Sequence, residues 1–175
     1  MITDNRTNQF ISDLIAKIKN ERIFELITED WKQNYKKYNG RWDTPARQKI
    51  GNIARLVFKK NFPEQDLDVC FYVEGQGTPS LWQKPTKLFG SAGVYPDIAI
   101  LRPKRIAIEL DHSEKGSGLK MALAKAAFNY LSGQWDCCFV FFYDHKGKLN
   151  IDGETETRIC SIYEEEFKTK IVIFK

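Results

Sequence analysis

The chain has 175 residues, of which 42% are hydrophobic and 13% aromatic, so one domain over residues 1–175 can bury a sizeable core. Its formal net charge of +4 permits an anionic partner but does not require one, because many mildly basic domains are simply soluble. No apolar stretch approaches the roughly 18 residues that a membrane-spanning helix needs, and the N-terminus lacks the pattern of a secretory signal. These features predict a cytoplasmic protein without membrane contacts.

Helices are predicted for the first third of the chain, over residues 7–62. Apolar residues recur at mostly helical spacing from Thr7 to Tyr38, which indicates one or two amphipathic helices. A further helix is predicted to begin with Thr44 as its N-cap and Pro45 at its first position. Its outer face is predicted to be basic, with Arg47, Lys49, Arg55, Lys59 and Lys60. These side chains either contact nucleic-acid phosphates or form a solvated surface.

A long loop is predicted between Gly75 and Gly93, after a strand in the segment DVCFYVEG. Loops longer than roughly 12 to 15 residues inside a compact domain are commonly functional or disordered. This loop carries Trp82, Lys84 and Lys87, an aromatic and basic combination that suits nucleic-acid binding. A packing tryptophan flanked by solubilising lysines is the alternative.

The second half of the chain alternates strands and one helix. Two strands are predicted in YPDIAILRPKRIAIELDHS, a helix from about Ser117 to Ser132, and a strand buried on both faces at CCFVFFYD. A final strand pair is predicted around TRICSIY and KIVIFK, within residues 149–175. The order of elements predicts an α/β (α+β) fold with a mixed central sheet flanked by helices.

Three carboxylates are predicted to meet at one end of the hairpin in this second half. Centring the turn on Pro103 places Asp97 opposite Glu109. Because side chains alternate along a strand, Asp111 shares a face with Glu109, whereas His112 points to the other face and is expected to be structural. Directly opposed side chains have Cβ atoms about 4.5 to 5.5 Å apart. The three acids are therefore expected around one point.

A cluster of this kind needs a compensating cation, because like charges repel. Hard carboxylate oxygens are the ligands that Mg²⁺ prefers, so Asp97, Glu109 and Asp111 are predicted metal ligands, with Mn²⁺ as a substitute ion. The alternative is that Asp97 caps a strand and that Glu109 and Asp111 end an exposed edge. Glu74 is a further acid expected near the cluster.

The residues also carry a family resemblance. Pro96-Asp97, eleven intervening residues and Glu109-Leu110-Asp111 resemble the motif of the PD-(D/E)xK nuclease superfamily. The resemblance covers roughly residues 69–144 and implies a restriction-endonuclease-like fold in which Asp97 and Glu109 bind the metal. Asp111 stands where the family usually has lysine.

The missing lysine leaves the source of a catalytic cation open. A cation near the scissile phosphate offsets negative charge and helps to orient the attacking water. Lys115, Lys120 and Lys125 are the candidates, with Lys120 favoured as the catalytic lysine. Alternatively, Asp111 itself acts as a ligand or general base.

These inferences predict an Mg²⁺-dependent endonuclease that cleaves DNA, in restriction, defence or repair, with RNA as an alternative substrate. A homodimer would suit double-strand cleavage. The rival prediction is a nuclease-like module that binds nucleic acid without catalysis, because the lysine is absent from position 111.

Overall fold

A computed structural model describes residues 5–87, 93–113, 118–147, 149 and 152–175 of the chain. The helices are α1 Asn5–Asn20, α2 Ile23–Gln33, α3 Asp43–Asn61, the single-turn α4 Leu67–Cys70, α5 Gly118–Leu131 and α6 Glu154–Glu166. The strands are β1 Phe71–Val73, β2 Ile98–Ile100, β3 Ile106–His112, β4 Cys137–Tyr143 and β5 Thr169–Phe174. None of the helices in these ranges is long and apolar enough to cross a membrane.

The strands form one mixed sheet in the order β1-β2-β3-β4-β5. The pairs β1–β2 and β2–β3 are antiparallel, whereas the pairs β3–β4 and β4–β5 are parallel. Helix α5 makes the connection from β3 to β4, as a parallel pair requires. All seven residues of β4 are buried, which agrees with its continuous apolar sequence. The prediction of a mixed sheet with flanking helices is therefore confirmed.

Two hydrophobic clusters cover the two faces of the sheet. Helices α1, α2 and α3 pack on one face, which Ile106, Ile108 and Leu110 of β3 share. Ala107 belongs to the cluster on the opposite face, together with buried residues of α5. The two-residue period of the strand therefore separates Ile106, Ile108 and Leu110 from Ala107, Glu109 and Asp111.

The C-terminal region differs from the sequence prediction in one element. The segment TRICSIY lies inside α6, so the predicted strand there is wrong, and only KIVIFK forms a strand, β5. The β-branched residues of TRICSIY favour a strand, but Ile159 and Tyr163 are four residues apart and share one side of a helix. Tyr163 packs against the cluster that includes α5, and this contact favours the helix.

The start of α3 also differs slightly from the prediction. The helix begins at Asp43, and Trp42 occupies the N-cap position without a side-chain cap hydrogen bond. Thr44 and Pro45 therefore lie within the first turn, where the missing N–H of proline costs no intrahelical hydrogen bond. The predicted Thr44 cap is wrong, although the helix is present.

Candidate active site

The hairpin of β2 and β3 has the register that the sequence predicts. Ile98 pairs with Ile108, Ala99 with Ala107, and Ile100 with Ile106. Continued by one residue, this register brings Asp97, which directly precedes β2, opposite Glu109. Both carboxylates lie in the interior of the protein.

Asp97 is only 3% exposed and is held from two sides. Its Oδ2 accepts a hydrogen bond of 2.8 Å from the backbone N–H of Leu110, and its Oδ1 lies 3.6 Å from Nη1 of Arg47. Burial raises the pKa of Asp97 to about 6, although the charges of Lys125 and Arg47 and the Leu110 N–H act in the opposite direction. The position therefore resists ionisation more than an exposed aspartate does.

Glu109 is 1% exposed, and its two oxygens have different surroundings. Its Oε1 accepts a hydrogen bond of 2.7 Å from Nδ2 of Asn129. Its Oε2 is buried and has no hydrogen bond within the described residues, and Nζ of Lys125 lies 3.7 Å away. Burial, followed by the neighbouring charge of Asp97, raises the pKa of Glu109 well above its ordinary value. A cation bound next to the two carboxylates would therefore stabilise their ionised forms.

Asp111 is half-buried, two residues further along the same face of β3. Its Oδ1 accepts a hydrogen bond of 2.7 Å from the backbone N–H of His112, and burial raises its pKa. A Cβ atom added to Gly118, the first residue of α5, would lie 2.6 Å from the His112 carbonyl oxygen and 3.0 Å from Oδ1 of Asp111. A residue without a side chain thus lets α5 begin directly against this end of β3.

Lys125, and not Lys120, is the lysine of α5 that reaches the acids. Its side chain is about half exposed, and its Nζ lies 3.7 Å from Oε2 of Glu109. Burial acts to lower the pKa of Lys125, but the charges of Glu109, Asp97 and Asp111 raise it overall. Lys120 is exposed and lies about 140° away around the helix axis. The structure therefore does not bring the favoured Lys120 to the acids and brings Lys125 there instead; Lys115 lies outside the described residues.

Arg47 belongs to the site in a way that the sequence did not predict. Its side chain is buried and contacts three acids: Asp43 at 2.5 Å, Glu74, and Asp97 at 3.6 Å. The prediction that placed Arg47 on the basic outer face of α3 is wrong, because the residue lies one helical turn before Ile50 on the buried stripe.

Arg55 is separated from this group. It lies eight residues later on α3, about 12 Å along the axis, where its guanidinium stands 5.6 Å from the centre of the Phe71 ring. Its Nε atom is buried without a hydrogen bond in the described part of the chain. The structure thus places Arg55 against the sheet and away from the acids.

The three loop residues predicted to bind nucleic acid, Trp82, Lys84 and Lys87, lie outside the group of acids; residues 88–92 of this loop lie outside the described residues. Trp82 is half-buried and stacks on Tyr72, with ring centres 3.7 Å apart. Lys84 and Lys87 are exposed, and the backbone carbonyl of Lys84 accepts a hydrogen bond of 3.0 Å from Gln134. This arrangement favours the packing alternative for Trp82 and leaves both lysines open to solvent.

A cleft of about 960 Å³ opens above the acids. Asp97 and Asp111 lie on its surface with Lys125 and Arg47, and aromatic side chains of α2 and of the segment before β2 complete its walls. His112 also reaches the cleft, but its ring stacks on Trp42 at 4.4 Å, on the sheet face away from Asp111. The predicted orientation of His112 is therefore confirmed.

The donor set fits a hard cation bound by two carboxylates. Asp97 and Glu109 supply oxygen ligands, and the buried Glu109 Oε2 lacks a hydrogen bond in the described residues. Within these residues, no group of three or more His, Cys, Asp or Glu side chains is arranged to hold a metal ion. Magnesium sites usually recruit one or two carboxylates plus water and substrate phosphates. The predicted third ligand, Asp111, therefore stays a prediction.

Sequence reasoning missed Asn129, which orients Glu109. The buried residues of α5 include Ala122, Ala126 and Asn129, so this asparagine interrupts an otherwise apolar stripe. Asn129 also lies four residues after Lys125, and residues at that spacing are neighbours on a helix surface. A single amide on the buried stripe of α5 was the signal that could have identified the residue.

No protein-family model matches the chain, and searches of curated proteins and of solved structures find no match either. The resemblance to the PD-(D/E)xK superfamily therefore rests on the motif residues and on the order of the elements that follow them. The mixed sheet with its helices establishes an α/β protein and leaves the family open.

Proposed function

We propose that the protein is an Mg²⁺-dependent endonuclease that hydrolyses phosphodiester bonds in DNA. The observation that carries this proposal is the pair Asp97 and Glu109, buried side by side below an open cleft with Lys125 and Arg47 next to them. Burying two like charges is costly unless a cation compensates them. A purely structural pair would also be expected to use both oxygens of Glu109 in hydrogen bonds.

Asp97 and Glu109 would hold the metal ion, with Asp111 beside them. When bound, Mg²⁺ or Mn²⁺ would polarise a phosphoryl oxygen and lower the pKa of a water molecule. Two hydrogen bonds prepare the carboxylates for this task. Leu110 N–H binds one oxygen of Asp97, and Asn129 binds one oxygen of Glu109, so that each acid keeps a second oxygen for the ion.

Lys125 takes the role of the lysine that the family motif carries two residues after its second acid. Its ammonium group next to Glu109 can offset negative charge on the phosphate and orient the attacking water. The lysine would thus come from the helix after the strand, where its Nζ lies 3.7 Å from Oε2 of Glu109. Arg47, between Asp43, Glu74 and Asp97, reduces the repulsion among these acids.

The restriction-endonuclease-like form of the α/β fold is part of this proposal. Its support is the order of elements: the hairpin of β2 and β3, then α5, then the buried β4. RNA is the alternative substrate, and a cytoplasmic homodimer would combine two such sites for double-strand cleavage.

DNA cleavage by the purified protein tests the proposal. Supercoiled plasmid and circular single-stranded DNA are incubated with Mg²⁺, Mn²⁺ or EDTA, and the products are resolved on agarose gels. We expect metal-dependent cleavage that Glu109→Gln abolishes and that Lys125→Met reduces by roughly 10²- to 10³-fold, the usual effect of removing one electrostatic stabiliser of the transition state. Lys120→Met, a matched change on the same helix, is expected to cleave like the wild type.

Two outcomes would contradict the assignment. Cleavage that persists in Glu109→Gln would place the activity elsewhere or in a contaminant. Equal losses in Lys125→Met and Lys120→Met would remove the special role of Lys125.

A binding module without catalysis is the second candidate. It is favoured by Asp111, an acid at the position where the motif has its lysine. Calorimetric titration of Mg²⁺ and Mn²⁺ into the wild type and Asp97→Asn separates the two functions. DNA binding that weakens steeply with salt, without any metal binding that depends on Asp97, would leave only the binding module.

A further inference from the structure

The cleft above the acids has an exposed aromatic side chain on one wall. Tyr35, two residues after the end of α2, is 55% exposed and lines the cleft. Two contacts fix the Tyr35 side chain despite its exposure. The centre of its ring lies 5.4 Å from that of Trp31, and the ring packs against Gly40. A Cβ atom at Gly40 would come within 2.7 Å of the Tyr35 hydroxyl oxygen, so the glycine makes room for this ring.

A second exposed tyrosine lines the cleft close to Asp97. Tyr95, two residues before Asp97, is 39% exposed. Its ring centre lies 6.2 Å from that of Trp82, which stacks at 3.7 Å on Tyr72 of β1. Tyr95 therefore continues an aromatic stack that is anchored on the sheet.

The acids lie deep relative to these rings. Asp97 and Glu109 are 3% and 1% exposed, so a phosphodiester must enter the cleft to approach them. The cleft volume of about 960 Å³ is that of a site for a small ligand. A duplex is stiff over many base pairs, whereas an unpaired strand can bend its backbone into a cleft of this size. Lys125 and the exposed Arg41 on the cleft surface suit the phosphates of such a strand.

We infer that the cleft takes an unpaired stretch of nucleic acid, with bases stacked on Tyr35 and Tyr95 and the intervening phosphodiester directed to Asp97 and Glu109. This substrate preference rests on the proposed nuclease function. Stacking on aromatic side chains tolerates any base, because every base has a π-face. The cleft therefore selects unpaired strands without reading their sequence.

Binding to matched single- and double-stranded DNA tests the inference. The Glu109→Gln protein, which is expected not to cleave, is titrated into fluorescein-labelled oligo(dT) alone or annealed to oligo(dA), in Mg²⁺, with anisotropy as the readout. We expect tighter binding to the single strand. Adding Tyr35→Ala should weaken that binding roughly 5- to 150-fold, the contribution of one stacked base, and should change duplex binding little.

Two control variants separate stacking from other effects. Tyr35→Phe keeps the ring and should retain single-strand binding. Phe128→Ala removes another exposed aromatic side chain, on α5, and should also retain it. Oligo(U) in the same assay shows whether the unpaired strand is RNA or DNA. Binding of either strand supports the inference if Tyr35→Ala weakens it.

The inference and the proposed function fail in different ways. Equal affinity for single strand and duplex, or equal losses for both in Tyr35→Ala, overturns the inference. If duplex DNA is nevertheless cleaved in a way that depends on Glu109, the proposed nuclease function is retained. Conversely, Tyr35-dependent binding of single strands with no cleavage in any metal supports the aromatic cleft and removes the nuclease.

Discussion

Asp97 and Glu109 combine two properties that proteins rarely combine without a function. Each carboxylate is almost fully buried, and the charge of Asp97 contributes to the raised pKa of Glu109. Structural acids in such positions are normally neutralised by hydrogen bonds and paired cations. Here Lys125 and Arg47 compensate only in part, since the pKa values of both acids remain raised.

The pKa of Asp97 predicts how the stability of the metal-free protein changes with pH. Burial raises this pKa from 3.8 to about 6, so Asp97 ionises at lower pH in the unfolded chain than in the folded protein. Its contribution to the free energy of unfolding is therefore complete below the pKa of the unfolded chain and is lost as the pH rises through the pKa of the folded protein. Between these two values we expect the urea-unfolding midpoint of the metal-free protein to fall.

The variant Asp97→Asn should remove this part of the pH dependence. It should be at least as stable as the metal-free wild type at neutral pH, because the amide oxygen can still accept the Leu110 N–H and the like charge is gone. Adding Mg²⁺ should stabilise the wild type and leave the variant unchanged. A large loss of stability in the variant would instead identify Asp97 as a structural cap.

The contact between α3 and β1 decides where Arg47 lies. Gly51 is one turn after Arg47, and a Cβ atom there would be 2.9 Å from Cγ2 of Val73. The absence of a side chain therefore allows α3 to approach β1 closely. The contact sets Arg47 beside Glu74, the residue after β1, and beside Asp97.

Substituting Gly51→Ala should test this contact. Helix propensity alone favours alanine over glycine by about 1 kcal/mol, whereas overpacking of a close contact typically costs about 1 to 3 kcal/mol. We expect a net loss of stability in urea unfolding, together with reduced DNA cleavage because Arg47 moves. When Val73 is also replaced by alanine, Gly51→Ala should leave the free energy of unfolding unchanged or raise it, relative to the single variant Val73→Ala. A stabilised single variant would mean that α3 and β1 are further apart.

The cysteines report on the arrangement of the whole molecule. All four are free: Cys137 and Cys138 lie in β4, which is buried between β3 and β5, Cys70 is buried before β1, and Cys160 is on the surface helix α6. Burial raises the pKa of Cys137 to about 12 and that of Cys138 further still. Since the thiolate is the reactive form, these two thiols should be inert in the folded protein.

Thiol modification by Ellman's reagent should therefore be biphasic. Cys160 should react first, and the remaining thiols only when the protein opens or unfolds. The variant Cys160→Ser should lose the fast phase, and peptide mass spectrometry identifies the modified residue. Fast modification of Cys137 or Cys138 in the folded protein would contradict the burial of β4 inside the sheet.

The sequence predictions that the structure confirms for the hairpin and for β4 concern local periodicity. The alternation of β3 and the turn at Pro103 determined which residues of the hairpin face each other, and the observed pairing of Ile98 with Ile108 agrees. The continuous apolar run of β4 determined its burial on both faces. Backbone geometry alone relates these neighbours, because a strand repeats every two residues and a short turn sets the register.

The contacts that complete the candidate site depended on the tertiary structure. Which lysine reaches Glu109 is set by where α5 crosses β3, and the inward position of Arg47 is set by how α3 packs on β1. In the same way, packing against the sheet decided that TRICSIY forms a helix. Such contacts join residues far apart in the chain, and a periodic pattern carries no information on which faces meet. The sequence by itself therefore determined the paired acids, and only the packing of helices on the sheet decided which cations and aromatic rings surround them.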